Sequence, residues 1–308
     1  MRAVFYGTPA EAVPSLETLT GIADVLLVTT RPDRPRGRSG RPQAPPVKEA
    51  ALALGLPVAQ PERAAHDLER LRSLAPEVAV VVAYGQLLPA AVLAVPAAGF
   101  LNVHFSLLPR WRGASPVVRT LLAGDSVTGV TLMMLDEGMD TGPVVAVEPT
   151  VVRPGETAGE LTARLAVLGA EMLVRHLPAH LAGETTPRAQ PAEGATAAAR
   201  VRVEEAFVDP TLHRAEAVLR AVRAFDPKPG AWTKLDGARV KVWRARPVAG
   251  TGPGPGVAAV SGEAVLLGAA DGPVELLEVQ PAGRDRMGAA AWMRGRRGRP
   301  ARFTRPAG

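Results

Sequence analysis

Three polar residues of this chain have side chains that could together stabilise an oxyanion and move a proton. Asn102 and His104 stand at the end of an apolar run, and Asp140 stands in the Gly-rich segment EGMDTG. An amide and an imidazole can donate hydrogen bonds to a developing oxyanion, and a carboxylate can orient the imidazole. Side chains alternate along an extended strand, so Asn102 and His104 would lie on one side of it. We therefore treat these three residues as candidate catalytic residues.

Structural alternatives exist for this assignment. A single histidine beside an apolar strand is more often a hydrogen-bonded core residue, and an aspartate in such a segment can cap an Asx-turn. Asp136 and Glu137 are rival carboxylates in the same segment. His176 and His180 have the spacing of a helical metal pair, but Pro178 between them is expected to break the helix, and no third ligand is evident. No metal site is predicted.

The elements that must position these residues alternate between strand and helix patterns. Short apolar runs typical of strands occupy Ala3–Tyr6, Val25–Thr30, Val78–Tyr84, Phe100–Val103 and Val130–Leu135. Helical spacing of apolar residues occupies Glu11–Leu19, Val47–Leu54, Ala64–Leu74 and Pro116–Leu122. This alternation predicts a Rossmann-like, doubly wound parallel sheet with its ligand at the carboxyl ends of the strands. The first turn, Gly7-Thr8-Pro9, does not match the dinucleotide-binding pattern.

The second half of the chain has a different texture. Leu161–His176 predicts a long amphipathic helix, and Leu181–Ala199 is rich in Ala, Gly, Thr and Pro. A short helix follows at Ala215–Phe225, and from Ala231 polar and apolar residues alternate around an Asp-Gly turn. Several short strands with Gly turns predict a small β-barrel. We predict a catalytic domain over 1–180, a linker over 181–204 and a C-terminal barrel domain over 205–308.

Composition restricts the class of protein. The chain has 308 residues, is 47% hydrophobic and only 4% aromatic, so its core must consist mainly of Ala, Val and Leu. It has no Cys, which excludes disulfides and thiolate metal sites and favours a reducing compartment. No apolar run approaches the roughly 20 residues of a membrane-spanning helix, and the N-terminus does not resemble a signal peptide. We expect a cytoplasmic monomer without a membrane segment.

Basic residues are concentrated in two segments. The segment from Arg31 to Lys48 contains one acidic residue, Asp33, and five arginines: Arg31, Arg34, Arg36, Arg38 and Arg41. Its Pro and Gly residues exclude a helix and predict a mobile loop. The C-terminal segment interleaves Trp292 and Phe303 with Arg284, Arg286, Arg294, Arg296, Arg297, Arg299, Arg302 and Arg305. Such segments suit RNA backbones, with a solvated loop and a disordered basic tail as the alternatives.

The motif around the candidate catalytic residues resembles the signature of the folate-dependent formyltransferases. That signature runs Asn-x-His-x-Ser-Leu-Leu-Pro, as at 102–109, and later Asp-Thr-Gly, as at 140–142. From Phe5-Tyr6-Gly7-Thr8-Pro9 to its basic C-terminus, the chain is similar to the methionyl-tRNA formyltransferase branch. It departs by having Phe105 where relatives often have Gly, and by lacking an aromatic residue after Asp209.

The resemblance implies an activity and the residues that serve it. The activity is transfer of the formyl group of 10-formyltetrahydrofolate to the α-amine of methionyl-initiator tRNA, with Asn102 and His104 as donors to the oxyanion and Asp140 paired with His104. The folate would lie along Val82, Tyr84, Leu87, Ser106, Leu107, Leu108, Pro109 and Gly138. The tRNA acceptor stem would contact Arg34, Arg36, Arg38 and Arg41, and the barrel would have an OB-like form.

Three alternative functions remain open at this point. The same chemistry could serve a small amine acceptor, a ribonucleotide or a sugar nucleotide, although neither requires an arginine loop or a second basic domain. The chain could instead hydrolyse formyl-folate and release formate. A non-catalytic RNA-binding protein would leave the grouping of Asn102, His104 and Asp140 unexplained.

Overall fold

The computed structural model describes residues 1–35 and 40–305 of the chain. The chain divides into two units. Unit 1 comprises Met1–Pro116, Val127–Val151 and Thr162–Ala199, and unit 2 comprises Val117–Ser126, Val152–Leu161 and the chain from Arg200 onward. Residues 181–199, which form most of the predicted linker, group with unit 1.

Unit 1 is built around a β-sheet. Its strands are β1 (Arg2–Gly7), β2 (Asp24–Thr29), β3 (Arg34–Pro35), β4 (Pro42–Gln43), β5 (Val58–Ala59), β6 (Val78–Val82), β7 (Phe100–His104), β8 (Val127–Met134) and β9 (Val144–Val151). The helices up to residue 181 are α1 (Val13–Ile22), α2 (Pro46–Ala53), α3 (Leu68–Leu74), α4 (Ala90–Leu93), α5 (Pro116–Ala123) and α6 (Ala158–Leu181), with 3-10 turns at Ala10–Ala12 and Ala64–Asp67.

Parallel pairing dominates the main sheet. Over the described residues its order is β5-β2-β1-β6-β7-β8-β9, while β3 and β4 form a separate antiparallel pair. The pairs from β5 to β7 are all parallel. Strands β6 and β7 are buried along their whole length, as expected where both faces of a parallel sheet are covered. The predicted Rossmann-like fold is confirmed.

Two details of the prediction for this region are wrong. Strand β8, which contains the predicted strand Val130–Leu135, pairs antiparallel with β7, and β9 pairs antiparallel with β8. An apolar run does not encode its direction, because the connection that precedes the strand determines it. Helix α6 continues through Pro178 to Leu181 instead of breaking at the proline. Pro178 has no N–H group to donate to the carbonyl of Val174, so the helix continues to Leu181 with that intrahelical hydrogen bond missing.

Unit 2 contains an antiparallel sheet that curls into a barrel. Its strands are β10 (Ala231–Leu235), β11 (Ala238–Pro247), β12 (Val257–Ser261), β13 (Ala264–Ala269), β14 (Gly272–Pro281), β15 (Met287–Gly288) and β16 (Ala301–Arg302). Its helices are α7 (Ala215–Ala224) and α8 (Ala289–Gly295), with a 3-10 turn at Val203–Ala206. The order is β10-β11-β14-β13-β12-β16, and β15 pairs with β14.

The barrel is closed by backbone bonds between its first and last strands. The amide of Asp236 donates to the carbonyl of Arg302 at 2.7 Å, and that of Thr304 donates to Lys234 at 2.9 Å. Asp236 and Gly237 both have positive φ angles, as the tight turn of the predicted hairpin requires. Apolar side chains of α7, including Val218, belong to the buried core of this unit. The predicted small barrel is confirmed.

Candidate active site

The central strand β7 positions two of the candidate catalytic residues. It lies between β6 and β8, so its backbone is hydrogen-bonded on both sides. Asn102 and His104 are both buried, and both side chains approach Asp140. The Asn102 Nδ2 donates to Asp140 Oδ1 at 3.3 Å, and the His104 Nδ1 lies 3.6 Å from Asp140 Oδ2. The structure therefore brings all three side chains together on one side of the strand.

Asp140 reaches this position from a tightly built loop, residues 135–143. Ligands usually lie at the carboxyl ends of parallel strands, and this rule accounts for the position of His104. It does not account for that of Asp140, because the loop of Asp140 follows the antiparallel strand β8. Asp136 accepts hydrogen bonds from the Gly138 amide at 3.1 Å and from Thr141 Oγ1 at 2.8 Å. A Cβ atom on Gly142 would overlap with the carbonyl oxygen of Met134. The rival carboxylate Asp136 thus shapes the loop, while Asp140 points into the site.

The histidine is anchored by a backbone carbonyl. His104 Nε2 lies 2.9 Å from the carbonyl oxygen of Trp111. A carbonyl only accepts, so Nε2 carries a hydrogen and Nδ1 is the ring nitrogen that faces Asp140. In the neutral ring Nδ1 is an acceptor, and after protonation it becomes a donor beside the carboxylate.

The loop after β7, residues 105–115, is held by its own polar contacts. The Ser106 hydroxyl donates to the carbonyl of Arg110 at 2.6 Å. Thr131 of β8 donates to the carbonyl of Ser106 at 2.7 Å and accepts from the amide of Leu108 at 3.1 Å. The amide of Gly113 donates to Asp140 Oδ2 at 2.8 Å, which gives the carboxylate a third contact.

A segment that we name the return segment, residues 188–198, runs along both of these loops. Arg188 exchanges two backbone hydrogen bonds with Val144, at 2.7 and 2.8 Å. The amide of Trp111 donates to Thr196 Oγ1 at 2.9 Å, and the amide of Arg112 donates to the carbonyl of Thr196 at 2.8 Å. Reasoning from the sequence missed these contacts, because the composition of the segment is that of a linker.

Gln190 is the residue of the return segment with the most side-chain contacts to the site. Its Nε2 donates to the carbonyl oxygens of Asp140 at 2.9 Å and Gly142 at 2.8 Å. Its Oε1 accepts from Arg112 Nε at 3.0 Å and Nη2 at 2.8 Å. The one signal in the sequence is that Gln190 is the only amide side chain between residues 181 and 199.

Half of the eight residues expected to line a folate are buried. Val82, Tyr84, Ser106 and Leu108 have buried side chains, Leu107 and Pro109 are half-buried, and Leu87 and Gly138 are exposed. The Tyr84 ring packs edge-on against Tyr6, with 5.2 Å between ring centroids. A ligand in this place would therefore meet backbone groups of these loops and exposed apolar side chains such as Leu87, which is 78% exposed.

A buried polar cluster lies beneath the loop that carries Tyr84. Burial raises the pKa of the Tyr84 hydroxyl to about 12, and the negative charge of Asp67 contributes to this rise. Burial also raises the pKa of Tyr6 and that of Asp67. Over the described part of the chain, the Tyr84 hydroxyl has no hydrogen-bond partner. The ring of Tyr84 thus anchors the loop from within the core.

The two described ends of the arginine-rich segment pair with each other, and contacts of Asp33 hold them in place. We call strands β3 and β4 and the residues beside them the pinned hairpin. Strands β3 and β4 pair Arg34 with Gln43. The Lys48 ammonium bonds to both oxygens of Asp33, at 2.9 and 2.8 Å, and Gln60 Nε2 donates to Asp33 Oδ1 at 2.7 Å. These hydrogen bonds lower the pKa of Asp33. Arg34 and Arg41 are exposed, whereas Arg36 and Arg38, and with them the predicted mobility of the tip, lie outside the described residues.

The C-terminal basic segment is folded as far as the structure describes it. Trp292 lies in α8 and Arg302 in β16, so a disordered tail is the wrong alternative up to residue 305. The guanidinium of Arg286 stacks on Trp243 at 3.5 Å from the ring centroid, and that of Arg296 lies 5.5 Å from the Trp292 ring. The segment therefore presents cations on an ordered scaffold.

Metal sites and membrane spans are two further features that the described ranges do not contain. Among these residues, no group of three or more His, Cys, Asp or Glu side chains is arranged to hold a metal ion. None of the helices in residues 1–35 and 40–305 is long and apolar enough to span a bilayer.

Comparisons with known proteins give the family. The formyl transferase profile matches residues 7–177, and the formyl transferase C-terminal domain profile matches residues 200–297. A methionyl-tRNA formyltransferase of Halorhodospira halophila is 50% identical over 301 residues, covering 96% of each chain. One from Thermus thermophilus is 48% identical over 297 residues, covering 96% of each chain.

A solved structure shares the fold at low sequence identity. The crystal structure of HypX from Aquifex aeolicus in complex with tetrahydrofolic acid superposes with a TM-score of 0.67 at 19% identity, over 95% of this chain and 47% of that one. The HypX structure shows the fold, while sequence identity over nearly the whole length and the two matching profiles give the family. The chain belongs to the methionyl-tRNA formyltransferase branch of the formyl transferase family.

Proposed function

We propose that the protein transfers the formyl group of 10-formyltetrahydrofolate to the α-amine of methionyl-initiator tRNA, for translation initiation. The observation that carries the proposal is the convergence of Asn102, His104 and Asp140 at the end of β7, in a chain of this family. An acyl transfer changes no oxidation state, so the reaction requires no redox cofactor.

The buried polar side chains account for stabilisation of the transition state. Attack by the uncharged amine on the formyl carbon produces a tetrahedral oxyanion. Asn102 Nδ2 and protonated His104 Nδ1 are donors on the same side of β7, and both are held near Asp140. Such donors are effective because they are oriented before the charge develops.

Asp140 supports the proton transfers that the reaction needs. The attacking amine must lose a proton, and the departing N10 of the folate must gain one. His104 can carry that proton on Nδ1, because its Nε2 is committed to the carbonyl of Trp111. The Asp140 carboxylate lies 3.6 Å from Nδ1 and stabilises the imidazolium that forms.

The loops around the site suit a reduced pterin. Ala83 and Gly85 have positive φ angles directly after β6, and both residues are exposed, as is Leu87. Met139, next to Asp140, is also exposed. A flat ring with a donor–acceptor edge fits backbone groups along one side and apolar side chains across its faces. These features support formyl-folate as the donor substrate.

The acceptor is supported by the two basic regions. The exposed arginines of the pinned hairpin and the ordered cations of unit 2 suit phosphates of a tRNA, and a small amine acceptor would need neither. We assign contacts with the acceptor stem to Arg34, Arg36, Arg38 and Arg41.

One assay separates this function from its alternatives. The purified protein is incubated with labelled 10-formyltetrahydrofolate and charged initiator tRNA, charged elongator tRNA, an amino-sugar nucleotide, an aminoribonucleotide or no acceptor. We expect label on initiator methionyl-tRNA alone. Labelled formate in the absence of any acceptor would indicate a hydrolase, and label on a small acceptor would overturn the tRNA assignment.

The role of the arginine loop has its own test. Replacing Arg36, Arg38 and Arg41 with Ala should raise the KM for tRNA and leave folate binding intact. The wild-type KM should rise steeply with salt and that of the variant less steeply, because fewer counterions are released. The matched control replaces three arginines that are exposed elsewhere in unit 1, namely Arg63, Arg72 and Arg175. Equal salt slopes in all three proteins would remove the loop from tRNA recognition.

A further inference from the structure

The return segment lies between the regions that define the family. The two family profiles end at residue 177 and resume at residue 200, so residues 188–198 belong to neither. The contacts of this segment are nevertheless directed at the two loops that carry the site. Its composition alone would assign it no role beyond joining the two matched regions.

We propose that Gln190 is a positioning residue for formyl transfer, which holds the loop of the catalytic carboxylate Asp140 through hydrogen bonds to that loop's own backbone. The inference rests on the function proposed above. We assign Gln190 no contact with substrate, and it acts only through Asp140.

The geometry distinguishes Gln190 from an ordinary surface residue. One amide nitrogen donates to two carbonyl oxygens two residues apart, those of Asp140 and Gly142, at 2.9 and 2.8 Å. These carbonyls lie on either side of Thr141, and Asp140 has the unusual φ angle of +53°. Two carbonyl dipoles that converge on one point repel each other unless a donor lies between them. The Gln190 amide supplies that donor.

The other end of the same side chain is also fixed. Arg112 donates twice to Gln190 Oε1, so the amide cannot rotate to exchange its oxygen and nitrogen without losing both ends of the network. Arg112 is followed by Gly113, whose amide bonds to the Asp140 carboxylate at 2.8 Å. Gln190 thus ties together the two loops between which Asp140 must lie.

The expected consequence is a loss of turnover rather than of substrate affinity. Small displacements of a catalytic group reduce the rate steeply, about a hundredfold for 1 Å. In Gln190→Met, a side chain of similar length without hydrogen bonds, we expect kcat to fall by about 10- to 100-fold. The KM values for folate and tRNA should stay within about twofold, because no substrate contact is removed.

A second variant identifies which end of the side chain matters. Gln190→Glu keeps an acceptor for Arg112 but cannot donate to the two carbonyls. If positioning depends on the hydrogen bonds that Gln190 Nε2 donates to the Asp140 loop, kcat should fall as much in Gln190→Glu as in Gln190→Met. Wild-type kcat in Gln190→Glu would overturn the proposal, because the Arg112 contact alone would then suffice. Glu193→Gln, an exposed position in the same segment, is the control.

A measurement without substrate separates this proposal from the proposed function. The exchange rate of the Gly113 amide, followed by NMR, reports directly on its bond to Asp140. We expect exchange at Gly113 to accelerate at least tenfold in both Gln190 variants, with amides of β7 and β8 unchanged. Faster exchange throughout the sheet with a lowered melting temperature would overturn the positioning role. If the wild-type protein did not formylate tRNA but exchange at Gly113 still accelerated in both variants, the proposed function would be rejected. The role of Gln190 in holding the Asp140 loop would stand.

Discussion

Replacing Asp140 with Asn removes one charge from the site without changing the size of the side chain. The carboxylate now accepts from Gly113 at one oxygen and from Asn102 at the other. An amide presents one oxygen and one NH₂ group, so either orientation places a donor against a donor. The substitution therefore disturbs one neighbour whichever way the amide turns, in addition to removing the attraction for a protonated His104.

The size of the effect follows from the distance between the two groups. Unit charges 3.6 Å apart attract each other by about 4–5 kcal/mol at an effective dielectric constant near 20. That attraction is available only while His104 is protonated, so its loss would raise the barrier for the step that requires the imidazolium. At 1.36 kcal/mol per tenfold change in rate, loss of the full attraction corresponds to about 10³- to 10⁴-fold, and we expect kcat to fall by at least about 10²-fold.

Single-turnover transfer of labelled formyl to methionyl-tRNA measures this step directly. The control is Glu137→Gln, which removes the same charge from an exposed position three residues away and should leave the rate unchanged. Binding of 5-formyltetrahydrofolate, whose formyl group is on a different nitrogen, should be the same in all three proteins. A rate within threefold of wild type for Asp140→Asn would refute the assigned role of Asp140.

Three other substitutions test separate parts of the structure. Asn102→Ala should lower kcat by about 10²- to 10³-fold with little change in KM for folate, measured by steady-state kinetics, because this donor acts as the oxyanion forms. Gly142→Ala should lower kcat at least tenfold and unfold at lower urea concentration, because its Cβ would overlap with the Met134 carbonyl and displace the loop. Tyr84→Phe should lose less stability than the wild type as the pH rises above 10. The folded-state pKa of Tyr84 is raised to about 12, so its ionisation should cost the wild type about 1.4 kcal/mol of stability between pH 10 and pH 11 in urea unfolding. The variant has no hydroxyl at this position, so its stability should fall by about 1.4 kcal/mol less than that of the wild type over the same range, while Tyr6, whose pKa burial also raises, still contributes to the loss in both proteins.

The sequence was sufficient to predict many of the elements, but not strand β9 or helix α8, and not all of the strand directions. Buried runs such as Val78–Val82 and Phe100–His104 follow from apolar residues of strand length, and both pair in parallel as expected. Strand β8 has an equally apolar run, yet it is antiparallel to β7. Hydrophobic pattern depends on burial, and burial is the same for either direction. Topology therefore needed information that this pattern does not contain.

Within the site, local spacing was informative and distant contacts were not. The alternation of side chains along a strand was enough to place Asn102 and His104 on one side of β7. It could not show that the carbonyl of Trp111 holds His104 Nε2 and leaves Nδ1 facing Asp140. That arrangement depends on how residues 105–115 fold back, through Ser106 and Thr131, whose hydroxyl groups look like those of any loop and strand position.

The return segment shows why low sequence complexity is a poor guide to the absence of a role. Ala, Gly, Thr and Pro dominate residues 181–199 because the contacts there are made mainly by the backbone, which any small residue can supply. Thr196 and Gln190 are exceptions: Thr196 Oγ1 accepts from the Trp111 amide, and the contacts of Gln190 require a planar group with an acceptor at one end and a donor at the other. The overall composition of such a segment reflects the many positions where one small residue can replace another. The single amide, Gln190, marks a position where they are not interchangeable, 50 residues along the chain from the carboxylate that we propose it holds.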